Sequence, residues 1–116
     1  MSELVVFGLP NCDSCRKARR WLDNHGQDYR FHDVRADGLD ARLIKDWFAR
    51  ADWTQLVNKR STTWRNLSDE QRSGLDEANA AALILEHPTL LRRPVLDDGG
   101  TLTVGFSDAA FKARFA

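Results

Sequence analysis

Two cysteines, Cys12 and Cys15, lie three positions apart in the segment NCDSCRKARR, directly after a short apolar run. A thiolate attacks electrophiles far faster than a thiol, and an ordinary cysteine is mostly protonated near neutral pH. The first turn of a helix favours an anion, because unpaired backbone N–H groups meet there at the positive end of the helix dipole. A helix that begins at Asp13 or Ser14 would therefore activate Cys12 as a nucleophile.

Cys15 has two interpretations that the sequence leaves open. Residues three apart lie on the same face of a helix, so Cys15 is a candidate resolving thiol that could close a disulfide with Cys12. It also lies on the apolar stripe with Ala18 and Trp21, where a buried cysteine acts as a small hydrophobe. A tetrahedral zinc site would need two further Cys or His ligands, and the three histidines are scattered, so we expect no metal.

Polar residues around the first helical turn are candidates for binding an anionic substrate. Arg16 follows Cys12 by about one turn and can add positive charge or hold the anion. Asn11 and Ser14 can cap the helix or donate hydrogen bonds to the anion. Asp13 works against the thiolate, because a nearby carboxylate disfavours a second negative charge.

The elements that position these residues follow from the apolar spacing. A continuous apolar run at 4–8 predicts a buried strand, helical spacing from Ser14 predicts an amphipathic helix, and alternation at 28–35 predicts a second strand. Helical patterns at 39–51 and 76–87 are followed by two strands around the Gly99–Gly100 turn, and then by a final helix. This order indicates an α/β fold in one domain.

The composition excludes several functions. Among 116 residues, 17 basic and 17 acidic side chains balance, so no overall field attracts nucleic acid or an anionic membrane. No segment approaches the length of a membrane span, and the N-terminal apolar run is too short for a signal peptide. We therefore expect a cytoplasmic protein, in a compartment where free thiols stay reduced, with neither nucleic acid nor a membrane as partner.

With the first strand, NCDSCRKA, NKRSTTWR and LRRPVL located, the chain resembles the arsenate reductase-related family of ArsC, Spx and YffB proteins, and is most similar to the YffB branch. The resemblance runs over essentially the whole chain. It implies a thioredoxin-like fold with a mixed four-stranded sheet. It also implies a single domain over 1–116 with a helical insertion at about 39–87.

The resemblance also assigns site residues. The family's catalytic cysteine corresponds to Cys12, the arginine before its proline to Arg93, and its cis-proline to Pro94, whose backbone groups would align an extended thiol peptide. Arg60, in the NKRS segment, resembles a basic residue of the corresponding loop, although a small shift of the alignment would place Asn58 there.

From this resemblance we expect a thiol–disulfide reductase with glutathione as co-substrate and no bound cofactor. One alternative is an Spx-like transcriptional regulator that binds RNA polymerase and uses the two cysteines as an oxidation switch. Another is a weak arsenate reductase. The arsenate reductases of the family carry a further arginine where this chain has Gly105 and Phe106, so efficient arsenate reduction is not expected.

Overall fold

The computed structural model describes residues 3–115, which form two compact units. The first unit combines the described residues through Asp37 with those from Arg93 onward, and the second is Gly38–Arg92. The second unit includes the helical segment predicted at about 39–87, while the assignment of the whole chain to a single domain stays a prediction.

Within the described residues the elements follow the predicted order. The strands are β1 (Val5–Gly8), β2 (Arg30–Asp33), β3 (Val95–Asp97) and β4 (Leu102–Val104). The helices are α1 (Asp13–Asn24), α2 (Ala41–Arg50), α3 (Trp53–Leu56), α4 (Thr62–Asn66), α5 (Asp69–Ser73), α6 (Glu77–Glu86) and α7 (Asp108–Phe115). No helix in 3–115 combines the length and the apolar character needed to cross a membrane.

The first unit is built on a four-stranded sheet of order β2-β1-β3-β4. Strand β1 pairs in parallel with β2 and antiparallel with β3, and β3 pairs antiparallel with β4. The predicted mixed sheet is therefore confirmed. The parallel pair is joined by α1, which supplies the long crossover that such a connection requires.

One side of the sheet packs against the apolar faces of α1 and α7. Trp21 of α1 meets Phe111 of α7 edge to face at 5.4 Å, and its indole N–H donates to Asp108 Oδ1 at 2.9 Å. The buried cluster consists of Val6, Ala18, Trp21, Leu22, Leu96 and Phe111. The helical spacing of α1 thus fixes which of its faces is buried and leaves its charged face exposed.

The second unit consists of α2 to α6 and a 3₁₀ turn at Pro88–Leu90, with α2, α3 and α6 in mutual contact. Its helices begin at side chains that accept a backbone N–H at the first turn, namely Asp40, Asp52, Ser61, Ser68 and Asp76. Trp47 is fully buried. Trp64 is half-buried, with Lys59 Nζ 5.6 Å from the centre of its ring.

Arg114 of α7 clamps the β3–β4 hairpin. Its side chain is 11% exposed and donates to the Leu96 and Thr101 carbonyls and to Thr103 Oγ1. It also pairs with Asp98 Oδ2 at 3.1 Å. Hydrogen bonds from the turn, first from the Thr101 N–H, and the nearby Arg114 lower the pKa of Asp98 to about 2. The stability that Asp98 contributes is therefore present above its unfolded pKa of about 4 and is lost as the pH falls towards 2.

Replacing Arg114 by Met removes the charge but keeps most of the stem. We expect Arg114→Met to lower the free energy of unfolding by about 2 kcal/mol in urea at neutral pH, because several partly buried acceptors lose their donor. Lys112→Met on the same helix is the matched control. Its ion pair with Asp108 is well exposed, so its loss should cost less than about 0.5 kcal/mol. Equal effects of the two changes would contradict the clamp.

Candidate active site

Cys12 is the N-cap residue of α1, directly before the first helical residue, Asp13. Its φ and ψ of −89° and 127° are extended, its N–H donates to the Leu9 carbonyl, and its own carbonyl accepts the Arg16 N–H at 2.9 Å. The predicted start of the helix at Asp13 is confirmed. The predicted capping by Asn11 or Ser14 is wrong, because Cys12 itself occupies the capping position and no side chain caps the helix there.

Cys15 lies one turn further along α1 and is fully buried. Its position depends on Gly8, the last residue of β1, because a Cβ at that residue would lie only 2.5 Å from Cys15 Sγ. Burial raises the pKa of Cys15 to about 12, so its thiol keeps its proton at neutral pH. The two cysteines are free thiols, and the interaction with Cys15 helps to lower the pKa of Cys12.

Arg93 comes from the far end of the sequence, at the residue that opens the final part of the first unit. Its peptide bond to Pro94 is cis, as the family resemblance implied. Two guanidinium nitrogens, Nε and Nη1, are buried and have no hydrogen-bond partner among the described residues. Unsatisfied buried donors are costly, so this arginine is poised to bind an acceptor that is not part of the protein.

The surroundings of Cys12 favour its ionised form. Burial is the largest single contribution and opposes ionisation. Hydrogen bonds from the Cys15 backbone N–H and thiol, together with the charge and a hydrogen bond of Arg93, outweigh it and hold the pKa of Cys12 below its usual value. The half-buried Cys12 is therefore the reactive thiol of the pair, and Cys15 is the protonated one.

The segment beyond Pro94 carries no further cation at this site. The Gly105 N–H donates to the Pro94 carbonyl at 2.8 Å, and Gly105 has a φ of 80°, which favours glycine. Phe106 packs edge to face on Phe111 at 4.9 Å. The position at which the resemblance expects a third arginine in arsenate reductases is thus occupied by a turn and an aromatic core contact.

The structure brings Cys12, Cys15 and Arg93 together, and the other predicted residues lie as follows. Asn11, Ser14 and Arg16 are exposed around the first turn of α1. Arg60 is exposed on the second unit, where its N–H donates to Asn58 Oδ1. Its loop is joined to the segment before Arg93, since the Asn58 N–H donates to the Leu90 carbonyl at 2.9 Å.

Gly8 was predicted only as the end of a strand, and its contact with Cys15 makes it a further residue of the site. No group of three or more His, Cys, Asp or Glu side chains within residues 3–115 is arranged to hold a metal ion. The chemistry that the arrangement supports is nucleophilic attack by a thiolate, next to a half-buried cation that can bind an anionic group.

The chain is similar to several known proteins. The sequence model of the ArsC family matches residues 7–114. A Haemophilus influenzae protein is 40% identical over 97% of this chain and 99% of its own length. The solved structure of a protein named YFFB (PA3664) matches with a TM-score of 0.92 and 42% identity, covering 97% of this chain and 99% of that one. The global transcriptional regulator Spx 2 of Bacillus cereus is 29% identical over 90% of this chain and 81% of its own length.

The contact between Gly8 and Cys15 can be tested by adding one methyl group. We expect Gly8→Ala to lower the free energy of unfolding by about 1–3 kcal/mol, because its Cβ would overlap Cys15 Sγ. The same change in a Cys15→Ala background should cost much less, since the sulfur is then absent. Urea unfolding of the single and double variants measures this coupling, and additive effects would show that the contact is not the cause.

Proposed function

Because the chain belongs to the ArsC family, we propose that it is a thiol–disulfide reductase with Cys12 as its nucleophile and glutathione as its co-substrate. The observation that carries this proposal is the pairing of Cys12 with Arg93, whose buried nitrogens lack partners. A lowered thiol pKa supplies the nucleophile at neutral pH, and the unsatisfied cation supplies a site for a carboxylate.

In the proposed reaction the Cys12 thiolate attacks one sulfur of a substrate disulfide. A new S–S bond forms to Cys12, the substrate S–S bond breaks, and the departing sulfur leaves as a thiolate with the bonding electrons. The thiolate of glutathione then attacks the substrate sulfur of the mixed disulfide, so that a new S–S bond joins glutathione to that sulfur, the bond to Cys12 breaks and Cys12 leaves as a thiolate. A second glutathione thiolate releases the substrate sulfur in the same way and forms glutathione disulfide, so the two reducing electrons come from glutathione.

The surroundings of Cys15 favour an external thiol for the second step. A resolving cysteine must lose its proton before it attacks, and the pKa of about 12 disfavours that loss. The described part of the chain has no buried acidic or basic side chain that could accept the proton. In this proposal Cys15 donates a hydrogen bond that stabilises the Cys12 thiolate.

Glutathione carries two carboxylates, and the chain offers cations for both. Arg93 is the first, through the two nitrogens that lack partners. Arg16, exposed one turn after Cys12, is the second, whereas a role for Arg60 rests on the family resemblance alone. We also propose that the backbone next to Pro94 aligns the peptide, as the family resemblance implies. The proposal places this reaction in the cytoplasm, where glutathione is the abundant thiol.

Arsenate reduction is the weaker alternative. An oxyanion with several charges requires several donors, and each missing charge-assisted hydrogen bond costs about 1.5–3 kcal/mol. Gly105 and Phe106 provide a turn and a packed ring where a third arginine would be needed. The site therefore suits a single carboxylate beside a sulfur better than it suits arsenate.

An Spx-like regulator is the second candidate, favoured by the Cys-x-x-Cys contact and by the similarity to Spx 2. In that role Cys12 and Cys15 would form a disulfide on oxidation and alter binding to RNA polymerase. The raised pKa and complete burial of Cys15 disfavour this, because the disulfide requires attack by or on its sulfur.

The first test is the titration of Cys12 by its alkylation rate against pH. We expect a midpoint below that of an ordinary cysteine, and Arg93→Met should raise it by about one unit or more. Arg92→Met is the matched control, since this neighbouring arginine is exposed and is not among the causes that shift the pKa of Cys12.

Mass spectrometry should also detect a glutathione adduct that Cys12→Ser abolishes. An ordinary pKa and no reaction with glutathione disulfide would refute the reductase.

A second test separates the reductase from the regulator. The immobilised protein, reduced and then mildly oxidised, is incubated with the α subunit of RNA polymerase. The reductase proposal predicts no retention in either state. Retention that changes on oxidation and becomes constant in Cys15→Ala would instead identify the two cysteines as a regulatory switch.

A further inference from the structure

Two exposed arginines, Arg16 and Arg20, continue the face of α1 that begins with Cys12. Residues four apart follow one another along a ridge of the helix surface. At 1.5 Å per residue, they lie about 6 and about 12 Å along the helix axis from Cys12. We call this pair the arginine stripe; it extends from the reactive sulfur over two helical turns.

The arginine stripe has no counter-charge within residues 3–115, whereas the other cations of α1 are engaged. Lys17 pairs with Asp13 at 3.4 Å. Arg19 lies with its guanidinium carbon 4.2 Å from the centre of the Phe31 ring. Neither member of the stripe forms an ion pair or a hydrogen bond through its side chain among the described residues, so both are free to bind a partner.

Helix stability does not account for this placement. Like charges four residues apart destabilise a helix, and a cation interacts favourably with the helix dipole only near the last turn. The last turn of α1 has no basic residue and instead contains Asp23. Neither arginine of the stripe is therefore placed to stabilise the helix, while both add positive charge to the face that begins with Cys12.

We propose that the arginine stripe docks an acidic segment of a polypeptide whose disulfide reacts at Cys12. This inference rests on the proposed function and names the class of its substrate. Charge complementarity selects the acidic segment, since the stripe presents two unpaired cations and no carboxylate. Glutathione is a three-residue thiol that spans only about 10 Å when extended, with its sulfur on the central residue. When that sulfur lies at Cys12, glutathione ends short of Arg20 along the helix axis. A longer polypeptide therefore fits the stripe better.

The stripe would act on association rather than on the bond exchange. Whether or not the substrate carries an acidic segment, Cys12 forms a disulfide with the attacked sulfur, the original S–S bond breaks, and the other sulfur leaves as a thiolate. Attraction between the stripe and an acidic segment raises the rate of productive encounters, and salt screens that attraction. The signature of docking is thus a salt-dependent rate that depends on the charge of the substrate.

Synthetic peptides provide the test. Each carries one cysteine in a disulfide with a small neutral thiol, followed by a run of glutamate, glutamine or lysine residues. At low salt we expect the glutamate peptide to react with Cys12 about tenfold faster than the glutamine peptide, with the advantage lost at high salt. Arg20→Gln should remove most of the advantage and leave the rate with glutathione disulfide unchanged. Arg30→Gln, an exposed arginine at the start of β2, should behave as wild type.

The outcomes separate this inference from the function on which it rests. Equal rates for the glutamate and glutamine peptides would refute the docking surface, while the reaction of both would still support the reductase. No reaction of Cys12 with any peptide would refute the reductase as well. If a single-stranded oligonucleotide blocked the glutamate peptide more strongly than free acidic peptide did, and lost this effect in Arg20→Gln, the stripe would be a phosphate-binding surface and the inference would be wrong.

Discussion

A half-buried guanidinium beside a thiol, with two of its nitrogens buried, is the constraint on which this site depends. Removing a cation from water costs several kcal/mol unless an opposite charge compensates it. Arg93 has two buried nitrogens without partners, and the described neighbour able to supply a negative charge is Cys12. The stabilisation is reciprocal, because the cation lowers the pKa of the thiol and the thiolate offsets the burial of the cation. The ionised Cys12 thus stabilises the guanidinium of Arg93 in its partly buried position.

The sheet topology makes this pairing possible. Cys12 follows the C-terminal end of β1, and Arg93 precedes the N-terminal end of β3. Because β1 and β3 are antiparallel neighbours with Phe7 opposite Val95, these two ends meet at the same edge of the sheet. The absence of a side chain at Gly8 then leaves room for Cys15 Sγ against the end of β1. Strand order and one small residue therefore position the three groups.

The local parts of this arrangement could be predicted from the sequence, and the contacts between distant segments could not. Helical spacing and the end of the apolar run located the start of α1 and so identified Cys12. Arg93 became a site residue only through the family resemblance, because nothing in its own segment distinguishes it from the exposed Arg92. Gly8 gave no signal, since its importance arises from a sulfur on the next element. The capping role expected for Asn11 failed for a local reason: because the helix starts at Asp13, the N-cap position falls on Cys12.

The two thiols differ because burial dominates the pKa of Cys15, whereas at Cys12 the neighbouring groups, among them Arg93, outweigh burial. In the proposed reaction, disulfide formation removes the negative charge of Cys12 and leaves Arg93 without compensation, so a carboxylate of the bound thiol becomes its natural partner. The same event removes the neighbouring charge that helps to raise the pKa of Cys15. Burial, however, is the largest cause of that raised pKa, and it persists in the mixed disulfide. An incoming thiol that ionises in water before it binds does not face this cost, and on this physical ground the second step belongs to the external thiol.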